Sequence, residues 1–124
     1  MQNKTVSLSV PADPSYARPV RMLAANLAVL AGLSVEDVED ARMVAEEGFV
    51  WCCATKPDTC DIEFHVGAGQ MAIEFAFGPD KLPEDDQTST YAELILSAVC
   101  DEFAFDEESR TLRLAKSVDV ADAQ

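Results

Sequence analysis

The stretch Val35–Thr55, VEDVEDARMVAEEGFVWCCAT, decides how this chain is read. Val38, Ala41, Ala45, Gly48 and Cys52 recur at helical spacing and mark an inward stripe. Ser34 stands where an N-cap belongs, and Glu36 and Asp37 fall in the first turn, where the helix dipole favours negative charge. A glycine within the stripe, Gly48, lowers helix propensity by about 1 kcal/mol relative to alanine, so its presence there predicts close packing of another element. Glu47 and Trp51 lie four residues apart and share a helix face. A carboxylate and a carboxamide at that spacing can hold a metal ion and activate a hydroxyl. An indole has one donor and no acceptor, so it cannot take the carboxamide's place.

Upstream of this helix, Val6, Leu8 and Val10 alternate in a strand over Thr5–Val10 that Pro11 ends. Tyr16, Val20, Leu23, Ala24, Leu27, Leu30 and Ala31 then follow amphipathic helical spacing, with Gly32 as the C-terminal cap. Downstream, Ile62, Phe64 and Val66 alternate, as do Met71, Ile73, Phe75 and Phe77, which predicts two paired strands joined by the turn Gly67-Ala68-Gly69-Gln70. Gly78 to Thr90 is a polar loop without periodicity. Tyr91, Leu94, Ile95, Ala98 and Val99 predict a further helix, and Phe103/Phe105 with Leu112/Leu114 bracket an acidic turn in a closing hairpin.

The expected fold is therefore α+β: a two-layer α/β sandwich whose mixed or antiparallel sheet is covered on one face by about three helices. One domain is expected over residues 1–118, with a disordered tail at 119–124.

With 23 acidic against 9 basic residues, the net charge of −14 repels nucleic-acid phosphates and anionic membranes. No direct nucleic-acid or membrane partner is expected, and a basic protein surface is the natural electrostatic one. Without an apolar signal core or a long apolar run, the expected location is cytoplasmic. Cys52, Cys53, Cys60 and Cys100 form no C-x-x-C pair and are expected as reduced, buried thiols; His65, in a strand, is not expected to complete a metal site with them.

Val10-Pro11-Ala12, Pro14, Tyr16, Gly32-Leu33, Glu39-Asp40 and Glu47, with Val99-Cys100-Asp101-Glu102-Phe103 near the end, carry a resemblance over nearly the whole chain. It is to the anti-sigma factor serine kinases of the GHKL (histidine-kinase-type, Bergerat) ATPase superfamily. The resemblance implies a histidine-kinase-type ATPase fold, a role in transcription regulation, and Glu47 at the position of the residue that helps activate the attacking hydroxyl.

It equally marks what has been lost. The family's magnesium-binding asparagine falls at Trp51. Its Asp-x-Gly-x-Gly motif meets Phe75-Ala76-Phe77-Gly78-Pro79-Asp80-Lys81, with Phe77 near the aspartate position and Asp80 as a displaced substitute. Its Gly-x-Gly-x motif meets Thr90-Tyr91-Ala92-Glu93.

The expectation is thus a degenerate ATP-binding site: an anti-sigma-factor-like protein-interaction domain without cofactor, with Glu47 a remnant base and Asp80, Trp51 and Phe77 at pocket positions. Its partner would be a sigma factor or an anti-sigma antagonist, and family relatives also imply a homodimer. Two alternatives stand beside it. One is a divergent ATP-dependent serine kinase using ATP with Mg. The other is a subunit whose vacated pocket, walled by Trp51, Phe49 and Phe77, takes another small ligand.

Overall fold

Residues 4–79, 100–106 and 108–117 are described by the computed structural model. The order is β1 (Lys4–Pro11), a 3-10 turn (Pro14–Tyr16), α1 (Ala17–Leu30), α2 (Val35–Ala54), β2 (Thr59–Gly67), β3 (Gln70–Ala76), β4 (Glu102–Asp106) and β5 (Thr111–Ser117). The helix expected from Tyr91 and the polar loop from Asp80 lie outside the described residues, as does the tail at 119–124.

The strands form one sheet in the order β1-β2-β3-β5-β4, and every neighbouring pair is antiparallel. The fold is α+β, and the sheet is antiparallel rather than mixed among the described residues. Val10, Cys60, Ile62, Phe64, Val66, Met71, Ile73, Phe75, Leu112 and Leu114 point to one face and are buried with residues of α1 and α2. Successive strand side chains point to opposite faces. Ser7, Ser9, Asp61, Glu63, His65, Glu74, Arg113 and Glu102 therefore lie on the opposite, open face.

The helix ends follow the sequence. Asp13 accepts from Ser15 N–H at 3.0 Å to start the 3-10 turn. Ser34 Oγ accepts from Asp37 N–H at 3.1 Å to cap α2. Gly32 takes φ +80° between the helices, the left-handed backbone that closes α1 at low cost. Leu30 was expected in the inward stripe of α1, yet it is 71% exposed, and Ala28 is buried in its place. Leu30 lies on the helix line of Leu23, seven residues earlier and itself only partly buried, at the edge of the covered face.

The β2–β3 turn is tighter than expected. Gly67 and Gln70 pair as the last strand residues, leaving a two-residue turn, Ala68-Gly69, with Gly69 at φ +74°. Gly69 N–H donates to Ala31 O at 2.7 Å, tying the hairpin tip to the end of α1.

Gly48 sits where α2 crosses β3 and β5. A Cβ there would lie 2.6 Å from Phe75 Cε2, 2.9 Å from Phe75 Cζ and 3.2 Å from Leu114 Cδ1. The close packing expected of this glycine is thus present, and it sets how near α2 approaches the sheet.

Candidate functional site

The C-terminal half of α2 carries Val44, Ala45, Gly48, Phe49, Trp51, Cys52 and Cys53 inward, a wider face than the stripe read from the sequence. Trp51 is 9% exposed. Its ring stacks on Phe103 of β4, with centroids 6.1 Å apart and planes 8° from parallel. It meets Phe77 edge-on at 6.0 Å and 70°. Phe77 in turn packs on Phe105 at 5.2 Å, and the Arg110 guanidinium lies 5.6 Å from the Phe105 centroid. The structure therefore brings Trp51 and Phe77 into contact and adds Phe103 and Phe105 to them.

Phe49 is fully buried in the core among the residues of α2 and the sheet. Asp80 lies outside the described residues.

Hydrogen bonds hold this aromatic cluster from three sides. Phe77 N–H donates to Arg110 O at 2.8 Å. Arg110 donates from Nη2 at 2.8 Å and from Nε at 3.2 Å to Gly78 O. Gly78 N–H donates to Thr55 Oγ1 at 2.7 Å, and the Thr55 hydroxyl donates to Cys52 O at 2.6 Å. Thr55 is fully buried, so its hydroxyl closes the end of α2 against the strand exit. Gly78 has no room for a side chain, because a Cβ would collide with the backbone of Thr55, Lys56 and Pro57. By contrast, Trp51 Nε1–H is buried with no hydrogen-bond acceptor among the described residues.

Glu47 is half-buried one turn before Trp51 and makes no ion pair or hydrogen bond with a described residue. Burial, and after it the charge of Glu46, raises its carboxyl pKa above the ordinary value. Glu46 itself pairs with Arg21 at 3.2 Å. A half-buried carboxylate of this kind can accept a proton, but the side chain one turn on is an indole that cannot hold a metal ion.

The cysteines are free thiols, and three of the four are buried. Cys60 Sγ–H donates to Cys52 Sγ at 3.2 Å, and that hydrogen bond together with burial raises the Cys60 pKa far above its usual range. Burial pushes Cys53 up to about 11 and Cys100 to about 12. Thiols this hard to ionise are poor nucleophiles at neutral pH.

A second group of ionisable side chains lies on the open face and was not singled out from the sequence. Glu63 and His65 of β2 and Glu74 of β3 bring one ligand atom each to within 4.8 Å of the others. The signal was present in the outward alternation of both strands. The turn read from the sequence already sets the register in which Val66 faces Met71 and Glu63 faces Glu74, but it does not show that His65 turns toward both carboxylates.

No described helix is long and apolar enough to cross a membrane. No family model and no curated protein matches this chain.

Proposed function

We propose that this chain is an anti-sigma-factor-like regulatory domain that binds a protein partner and has lost ATP binding and phosphoryl transfer. The observation that carries the reading is Trp51. At the position of the family's magnesium-binding asparagine stands a buried indole packed on Phe77 and Phe103, and Phe77 falls near the position of the family's adenine-binding aspartate. Aromatic rings occupying two of the three nucleotide determinants offer neither a metal ligand nor an acceptor for an amino group.

The element order supports the likeness to the serine kinases. Val10-Pro11-Ala12 ends β1, Gly32-Leu33 turns between the helices, and Asp101-Glu102-Phe103 leads into β4. Partner binding is supported by apolar side chains left in solvent where α1 passes into α2. Val29, Leu30 and Val35 are 61%, 71% and 83% exposed, and such a patch on an acidic protein suits a docking surface for a sigma factor or an antagonist. A second copy of the chain is the competing occupant.

Calorimetric titration of the purified protein with Mg-ATP tests the loss of nucleotide binding. No saturable heat is expected, either for the wild type or for Trp51→Asn, and saturable binding with a micromolar Kd by the wild type overturns the reading. The raised pKa of Glu47 favours the rival reading, a divergent serine kinase with Glu47 as base. Transfer of labelled phosphate to a partner, abolished in Glu47→Ala, would establish that rival.

A further inference from the structure

We propose that Glu63, His65 and Glu74 form a site for a divalent transition-metal ion of the zinc class on the open face of the sheet. The inference is independent of the reading of the Trp51 region, because it uses the opposite face of the sheet and no residue of α2.

Donor geometry is the first argument. Glu63 and Glu74 face each other directly across β2 and β3, and His65 stands two residues along β2 on the same face. His65 Nε2 lies in ion-pair contact with Glu74 Oε1 and 3.7 Å from Glu63 Oε2. Its other ring nitrogen, Nδ1, is 3.3 Å from Thr5 Oγ1 on β1. When an ion replaces the Nε2 proton, Nδ1–H is left to donate to that hydroxyl and the Nε2 lone pair faces the ion between the two carboxylates, so Thr5 fixes the ring as outer partners of metal-binding histidines do. Bonds of about 2.0–2.2 Å from one ion place tetrahedral donors roughly 3.3–3.5 Å apart, so small side-chain adjustments bring all three onto a common centre.

Charge is the second argument. Two carboxylates directly opposite each other destabilise a sheet unless something neutralises them. Arg113 of β5 reaches Glu74 Oε1 from Nη1 at 3.2 Å and Glu102 Oε1 from Nε at 3.2 Å. The guanidinium thus meets two carboxylates and does not reach Glu63, so three negative charges stand against one positive, and a dication cancels the excess of two.

The third argument is access. A cavity of about 300 Å³, lined in part by His65, Ala72, Glu102 and Arg113, opens beside the cluster and leaves room for the water that completes a site with three protein ligands. A nitrogen donor with two carboxylates suits zinc and its transition-metal neighbours. Magnesium, which prefers an all-oxygen octahedron, should not compete.

The test is calorimetric titration of the full chain with Zn²⁺ under reducing conditions, alongside Co²⁺ absorption spectroscopy. One ion per chain is expected, with an intense visible cobalt spectrum of a tetrahedral nitrogen and oxygen site. His65→Gln and Glu74→Gln should each weaken zinc by at least about tenfold, and Thr5→Val by up to about tenfold, since losing an outer partner costs roughly 10–100-fold at the high end. All three positions lie on the open face, so circular dichroism should show the variants folded. Three results overturn the proposal: no saturable zinc binding by the wild type, unchanged affinity in folded His65→Gln, or a thiolate-to-cobalt charge-transfer band placing the ion on cysteine.

Discussion

Gly48→Ala sets two effects of opposite sign against each other. In an exposed helix interior the change stabilises by about 1 kcal/mol through propensity. At this position the new methyl would lie 2.6 and 2.9 Å from two ring carbons of Phe75 and 3.2 Å from Leu114 Cδ1. Carbon atoms in good contact are about 3.5–4.0 Å apart, so the overlap with the ring approaches 1 Å. Phe75 is fully buried and Leu114 is 1% exposed, so neither side chain can swing into solvent. Overpacking of this kind costs about 1–3 kcal/mol, and an overlap with three atoms at once belongs in the upper half of that range. After subtracting the propensity gain, the expected net loss is about 1–2 kcal/mol, with a melting temperature lower by roughly 4 °C for each kcal/mol. Urea unfolding followed by circular dichroism measures it, with an unchanged m-value showing that stability alone has moved. A second variant makes the cause specific. If the Phe75 ring is the obstacle, Phe75→Leu should cost less in the Gly48→Ala background than alone, a coupling of about 1 kcal/mol in a double-mutant cycle. A Gly48→Ala protein as stable as the wild type, or more so, would refute the packing argument and leave propensity as the stronger effect.

Three further outcomes follow from the same structure. Thr55→Val keeps the shape but leaves Gly78 N–H buried without its acceptor, so a loss of about 1–3 kcal/mol is expected in chemical denaturation, whereas Thr55→Ser should keep most of the stability. The Glu47 pKa is raised in the fold, so its ionisation at neutral pH opposes folding and the opposition disappears as pH falls. Glu47→Gln should therefore melt higher than the wild type at pH 7, with the gap closing below the ordinary carboxylate value near 4.5; a gap that widens on acidification would show the sign to be wrong. Finally, an aromatic disulfide reagent at about pH 8 should react with the native thiols only slowly and with all four after unfolding in guanidinium, because the thiolate is the reacting form. Rapid labelling of Cys53 or Cys60 in the folded protein would contradict its burial and raised pKa.

Much of the fold was legible because its signals are local. Alternation in Thr5–Val10 and in the β2–β3 hairpin, the Ser34 cap and the glycine after α1 each depend on residues a few positions apart. Even Gly48 announced itself, since a glycine in the middle of an apolar helical stripe has little other reason to be there. Where the reading missed, the deciding quantity was not local. Leu30 fits the helical spacing but faces solvent, because which side chains are covered depends on where α1 lies over the sheet. Glu63 and Glu74 fall opposite each other in the register read from the sequence, but the approach of His65 to both depends on side-chain directions that no local pattern encodes.

The sequence by itself determined the run of strands and helices, the acidic surface, and the replacement of a carboxamide by an indole four residues after Glu47. Tertiary structure alone decided what that indole does. Trp51 stacks on Phe103, a residue more than fifty positions away that the helical pattern of α2 cannot foresee, and its N–H has no acceptor among the described residues. It also decided that Glu63, His65 and Glu74 converge. Side-chain identity is written along the chain, but distance between side chains is set by strand register and by how closely a helix approaches a sheet, and both emerge only when the whole core packs.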